Sequence, residues 1–336
     1  MIWHVPAETD EPTRARELCA HLSCRFEAQW RSYRKEFGHC RKGFSENSTH
    51  NLRVATRRLR ATLGILLEVA PARAVEQTER CLKKVFKTLA PLREYHVQSE
   101  YLEKWRKRCP EAEVFLTLLR TQARAREKRA RKRMKLRKLA ELRESLRAIQ
   151  KWFDQLLKDR SAQEACLDHI RSELPRKYSA AVARVRGIDP AKTPTIHRAR
   201  VAFKQFRYGL ESLHPTVVRI SREQLTAMDG YQTLMGRIQD LEVLITGVKR
   251  FSDPKQADQQ TTTCLREKLE KEKGVAIRKY LRSADRIEGF WPREFGRFSP
   301  NKSVNSRGES PRRLPGDMGK RNRRWPPAPA PDRKPG

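Results

Sequence analysis

The strongest constraint on the fold of this chain is an internal repeat. Eleven residues at positions 50–60, HNLRVATRRLR, return at 197–207 as HRARVAFKQFR, with His, Arg, the Val-Ala pair, a base and the final Arg all displaced by 147. Further on, TLAPLREYHV at 88–97 returns as LMGRIQDLEV at 234–243, displaced by 146. Elements repeated in the same order at nearly the same spacing point to a chain built as two related halves.

Each half is helical. From Pro12 to about Leu281 apolar residues recur three and four apart, and no run alternates as a strand does. Breaks are expected near Gly38, Pro71, Pro91, Pro110, Ser161, Gly187 to Pro194, Pro215, Ser221 and Pro254. The prediction is an all-α fold of roughly eight to ten helices, arranged as two tandem, pseudo-symmetric bundles over about 12–160 and 161–285. Beyond about residue 285 the chain fills with Pro, Gly, Arg and Ser, and 286–336 is expected to be a disordered tail because it offers too little apolar surface to bury. The run 120–138, with eleven bases and one acid, Glu127, is expected to be a helix projecting into water.

At 100° per residue the repeated segment divides into two faces. His50, Arg53, Arg57 and Arg60 fall within about 80° of one another, while Leu52, Leu59, Leu63 and Leu66 gather on the other side. In the second copy His197, Arg200, Lys204 and Arg207 form the stripe, with Tyr208 and Glu211 beside it, opposite Phe203, Phe206, Leu210 and Leu213. Arg58 and Arg198 lie off the stripes. Like charges three and four apart repel by a few tenths of a kcal/mol per pair. A polyanion lying along the stripe would relieve that cost, and the planar fork of arginine suits phosphate oxygens. Each His stands at the N-terminal end of its helix, where free backbone N–H groups already favour an anion.

Charge supports the same class of ligand. Lys and Arg number 74 against 40 Asp and Glu, for a formal charge of +34. Seven scattered cysteines show no C-x-x-C pair and no metal-ligand spacing, so they are expected to be reduced, several as buried small hydrophobes. No stretch approaches the roughly 20 apolar residues of a membrane span, and the N-terminus lacks the pattern of a signal peptide. These features predict a cytoplasmic protein with no membrane partner. Trp30, Trp105, Trp152 and Phe153 fall at helical positions as core or partly exposed anchors, and His21, His39, His169 and His214 have no partners at ligand spacing.

H-x-x-R-V-A-x-R-R-L-R in the first half and H-x-x-R-V-A-x-K-x-F-R-Y-x-x-E in the second resemble the CHAD domain, the conserved histidine α-helical domain. PLREYHV and IQDLEV resemble that family's Arg-Asp motif with its following acid and valine, and the resemblance spans roughly 12–285. It implies two four-helix bundles whose basic helices face a central groove that binds inorganic polyphosphate. Carried onto this chain, His50, Arg53, Arg57, Arg60, His197, Arg200, Lys204 and Arg207 would line the groove with Tyr208. Arg80, Lys83 and Lys87, opposite Leu82, Val85, Phe86 and Leu89, would supply a further stripe. His96, Glu94 and Gln239 depart from the family pattern, and the helix after Ser221 carries fewer bases than its counterpart around Lys83, so more binding charge is expected from the first bundle.

Three functions follow for comparison. The first is non-catalytic binding of inorganic polyphosphate, with association to polyphosphate granules. The second is general nucleic-acid binding, which the charge allows at low salt, although no stacking aromatics or recognition motif accompany the bases. The third, hydrolysis of phosphate chains, is disfavoured. EKLEKEK at 267–273 has the wrong spacing for the E-x-E-x-K metal signature of a triphosphate tunnel, and no paired carboxylates stand near the stripes to hold Mg²⁺. Glu94, Asp240 and Glu242 are expected to make structural salt bridges, and no cofactor is implied.

Overall fold

The computed structural model describes residues 11–292 except 108, 135, 216–217 and 252–258; for 136–138, 251 and 259–261 it describes the backbone alone. The described residues form nine α-helices and a short 3-10 helix. In chain order they are α1 (Glu11–Gly43), α2 (Glu46–Leu66), α3 (Ala72–Trp105), α4 (Glu111–Arg133), α5 (Leu136–Leu156), α6 (Arg160–Arg186), α7 (Thr193–Leu213), α8 (Arg222–Phe251), α9 (Gln259–Leu281) and the 3-10 helix Ala284–Phe290.

Local chemistry sets several of these boundaries. Ser45 caps α2 by accepting from the Ser48 N–H at 3.2 Å, and Asp159 caps α6 by accepting from Ala162 N–H at 3.1 Å. Before α8, Ser221 and Gln224 exchange backbone and side-chain hydrogen bonds, a reciprocal cap. After α1, Phe44 turns the chain at φ 46°, a left-handed conformation disfavoured outside glycine. Its buried ring, lying 5.1 Å under the Arg131 guanidinium, holds the turn in place.

Two expected breaks are absent. Gly38 sits inside α1, because Tyr33, Phe37 and Cys40 continue a fully buried face past it and burial outweighs the helix cost of one glycine. Pro91 sits inside α3, where its missing N–H costs one helical bond, yet Leu89 and Leu92 on either side stay buried. The 120–138 run also departs from expectation. Its first part belongs to α4, which packs on α3, with Ala130 buried and the Arg126 guanidinium 5.9 Å over the Tyr95 ring, so this helix does not project into water.

The repeat is visible in the packing. α1 packs against α6, α2 against α7, α3 against α8 and α4 against α9, so each helix meets its own counterpart, as elements around a two-fold axis do. Cys19 and Cys166, 147 apart in sequence and both buried, meet each other at the α1–α6 seam. α5, with no α-helical counterpart after α9 among the described residues, packs on α3 and α1. Arg57 bonds Tyr208 and Thr62 bonds Ser212 across 151 and 150 residues respectively, so α2 and α7 run side by side in the same direction.

Two histidines tie the halves together. His21 of α1 donates to the Ser212 carbonyl in the last turn of α7 at 3.2 Å, and His169 of α6 donates to the Ile65 carbonyl in the last turn of α2 at 3.0 Å. Ile65 and Ser212 are 147 apart, so the acceptors are repeat equivalents, while the donors His21 and His169 are 148 apart, a slip of one residue. Each satisfies a helix-end carbonyl that has no intrahelical donor. Substituting either histidine by alanine is expected to cost about 1 kcal/mol, measured by urea denaturation. Burial holds the His21 pKa below its usual 6.5, so the fold keeps the neutral ring and the unfolded chain binds the proton more readily. The contribution of His21 is therefore complete above pH 6.5 and is lost as pH falls from there through the lower pKa of the folded state.

Residues 293–336 of the expected tail lie outside the described residues. The stretch 286–292, assigned to the tail from sequence, is folded: Ile287 and Phe290 are buried, and Phe290 lies 5.7 Å from the Phe203 ring and 5.5 Å from Tyr231.

Candidate functional site

α2 and α7 lie together at the seam between the halves and carry both stripes into it. The leucine face of α2 and the Phe203–Phe206 face of α7 are buried, so helical periodicity turns the bases away from each core. The Arg53 guanidinium stacks 3.8 Å from the centre of the Phe86 ring and donates to the Phe86 carbonyl at 2.9 Å. That carbonyl lies one residue before Lys87, whose own carbonyl has no helical donor because residue 91 is proline. Burial and the neighbouring Arg57 and Arg93 push the Arg53 pKa down to about 10.

Arg57 crosses the seam. Its Nε donates to the Arg53 carbonyl at 3.3 Å and its Nη1 to the Tyr208 hydroxyl at 3.2 Å, aiming the fork with one bond from each half. Arg200 lies along α8 where residue 236 is glycine: a Cβ there would stand 3.7 Å from its Nε and Nη2. The Arg200 Nε is buried with no hydrogen-bond partner. Lys204 sits among Arg53, Arg57, Arg200 and Arg207. Asp240 of α8 faces Arg200, Arg93 and Lys204, and burial raises its pKa.

The last arginine of each stripe is already engaged. Arg60 is held by a two-pronged ion pair to Glu79 of α3, with its Nε 2.9 Å from each carboxylate oxygen. Arg207 donates to Glu211 at 2.7 Å and to Asp229 of α8 at 2.8 Å. Each of these arginines is thus tied to the next helix of its own half. Expected as groove cations, they already carry partners and act as struts.

A cleft of about 850 Å³ opens beside the seam between α1, α2, α7 and α8. Of the residues singled out from sequence, His50, Arg57, Arg207 and Tyr208 line it. Arg58, which lies off the stripe, lines it too, and α1 adds His21 and Arg25. Burial lowers the His50 pKa, followed by the nearby Arg93 and Arg57, so the ring favours its neutral form. Arg25 has a buried Nε without a partner, and burial, with Arg58 close by, lowers its pKa. Arg25 was missed because its stripe on α1, His21, Arg25, Gln29 and Ser32, is polar but not especially basic. Its four-residue spacing was the available signal. His214 reaches the cleft from the α7–α8 connection, where it accepts from the Ile220 N–H at 3.2 Å.

Arg80, Lys83, Lys87 and His197 are exposed and outside the cleft lining. Of the carboxylates near the motifs, Glu242 is paired with Lys273 at 3.0 Å, as expected of a structural bridge, whereas Glu94 and Asp240 make no ion pair among the described residues. Among the described residues no group of His, Cys, Asp or Glu is arranged to hold a metal ion, and EKLEKEK lies within helix α9. No described helix is long and apolar enough to cross a membrane.

With this geometry in place, comparisons with known proteins define the class. The family model for the CHAD domain matches residues 24–249. The chain belongs to the CHAD domain family. Among solved structures it is similar to the CHAD domain from the plant Ricinus communis, at 19% identity and a TM-score of 0.60, covering 79% of this chain and 92% of that one. It is also similar to PptA from Streptomyces chartreusis, at 17% identity and a TM-score of 0.53, covering 80% of this chain and 99% of that one. At these identities the structures establish a shared fold. No curated protein matches the sequence significantly.

Proposed function

We propose that this protein binds inorganic polyphosphate, without catalysis, along the seam of α2 and α7 and the adjoining cleft. The observation that carries this reading is that Arg53, Arg57, Arg200 and Lys204, two from each half, converge near the half-buried carboxylate of Asp240 and the exposed one of Glu94. Such an excess of positive charge in a half-buried site calls for an external anion. A phosphate chain offers only acceptors, which matches donors that lack partners, such as the Nε atoms of Arg25 and Arg200. Membership of the CHAD family and the resemblance of both stripes to its motif favour polyphosphate over other polyanions. The natural setting for such a ligand is a cytoplasmic polyphosphate granule.

Affinity should come largely from counterion release. With about four to five phosphate contacts, binding should weaken roughly a hundredfold between 50 and 200 mM salt. Nucleic acid is the second reading, favoured by the net charge of +34. A competition titration separates them. Polyphosphate should displace single-stranded DNA at equal phosphate concentration far more effectively than the reverse, and parity between the two would refute the proposal. Release of orthophosphate from the polymer by the pure protein would overturn the non-catalytic assignment.

A further inference from the structure

Lys204 is the one amine among the arginines of the seam: it is half-buried, and an ammonium can release its proton where a guanidinium does not. From α2 it faces Arg53 and Arg57, and from its own helix Arg200 and Arg207. From α8 it faces Asp240, a carboxylate that also faces Arg200 and Arg93. α6 sets its Lys177, ion-paired to Glu173, against Gly209, and α1 directs His21 and Arg25 into the adjoining cleft. Among the described residues Lys204 has no hydrogen bond or ion pair.

The repeat explains this isolation. Lys204 is the equivalent of Arg57, which leans on Tyr208, but the equivalent of Tyr208 in the first half is Ala61, which has no hydroxyl. Arg207 among these five is ion-paired to Glu211 and Asp229, and Asp240 is shared by Arg200, Arg93 and Lys204, so positive charge still exceeds negative around the amine. Guanidinium groups hold their protons throughout the accessible pH range, so the ammonium is the one that discharges. Burial, then the surrounding arginines, drives the Lys204 pKa from 10.5 down to about 6.

Resting on the polyphosphate reading, we infer that the seam is a proton-linked anion site: the neutral Lys204 amine takes one proton from solvent when the phosphate chain binds, and the ammonium then joins the arginines in holding it. The bound polyanion raises the Lys204 pKa. Affinity is therefore greatest at low pH and falls as pH rises above about 6, approaching tenfold per pH unit for one linked proton.

Isothermal titration of the full chain with long-chain polyphosphate tests this, run at about pH 7.5 in buffers of different ionisation enthalpy. Internal phosphates of the polymer are strongly acidic and contribute no titration. The native protein should take up about one proton more than Lys204→Arg, which carries a permanent charge at the same position. Between about pH 7.5 and 8.5 the native Kd should rise about tenfold while that of Lys204→Arg changes less than twofold. His50 is present in both proteins, so the difference isolates Lys204. Asp240→Asn should leave the uptake in place; if it abolishes the uptake, the proton belongs to Asp240 and the inference fails. Equal uptake by native and Lys204→Arg also overturns it while leaving polyphosphate binding intact. Absence of any binding heat and of any competition with DNA would remove the parent reading itself.

Discussion

Arg57→Glu weakens binding of long-chain polyphosphate by at least about a hundredfold at moderate salt. Arg57 both lines the cleft and borders Lys204, and its fork is aimed by bonds to Arg53 and Tyr208, one on each side of the seam. The substitution changes local charge by two units in a half-buried setting and gives Arg53 and Lys204 an internal carboxylate to pair with. Losses of about 2–5 kcal/mol are typical for a desolvated charge contact, and a hundredfold corresponds to about 2.7 kcal/mol. The control is the triple variant Arg80→Glu, Lys83→Glu, Lys87→Glu. Those residues are exposed and outside the cleft, so screening should hold their combined effect below about tenfold. Titration of both variants checks this, with far-UV circular dichroism to show that each is folded. A triple variant weaker than Arg57→Glu would place the phosphate chain on α3.

The second large effect concerns stability. The double variant Ile287→Ala, Phe290→Ala is expected to cost about 5 kcal/mol in urea denaturation. Both side chains are buried, and Phe290 closes an aromatic cluster with Phe203, Tyr231 and Tyr280. Phe→Ala and Ile→Ala each cost about 2–5 kcal/mol in a core, with less than full additivity for neighbours. Tyr178, which donates to the Ile287 and Glu288 carbonyls, would lose its anchor as well. A loss below about 1 kcal/mol would mean that the 3-10 helix is not part of the cooperative unit.

Much of this molecule was legible in its residues. Helical periodicity is a local property, so the all-α class, the leucine face of α2 and the Phe203–Phe206 face of α7 could be read directly. The halves were legible because His50–Arg60 and His197–Arg207 preserve the same spacing. The misplaced breaks at Gly38 and Pro91 share one cause: a local breaker signal was overruled by a buried face that continues past it. The tail boundary failed for a related reason. Seven residues from Ala284 to Phe290 are too few for periodicity to register, and only the aromatic pocket receiving Phe290 shows that they are folded.

The candidate site divides in the same way. The sequence by itself determined which cations each helix would present, because a period of 3.6 residues assigns faces without reference to any partner. Tertiary structure alone decided what state those cations are in. Glu79 and Asp229, 19 and 22 residues from their partners, turn Arg60 and Arg207 into struts. Arg25 and Arg58 enter the cleft because α1 packs beside α2 and α7. Burial, and then the four arginines that two helices bring to it, lowers the Lys204 pKa. Faces follow from the geometry of one helix, whereas charge states follow from distances between several, and those distances exist only once the two halves have met.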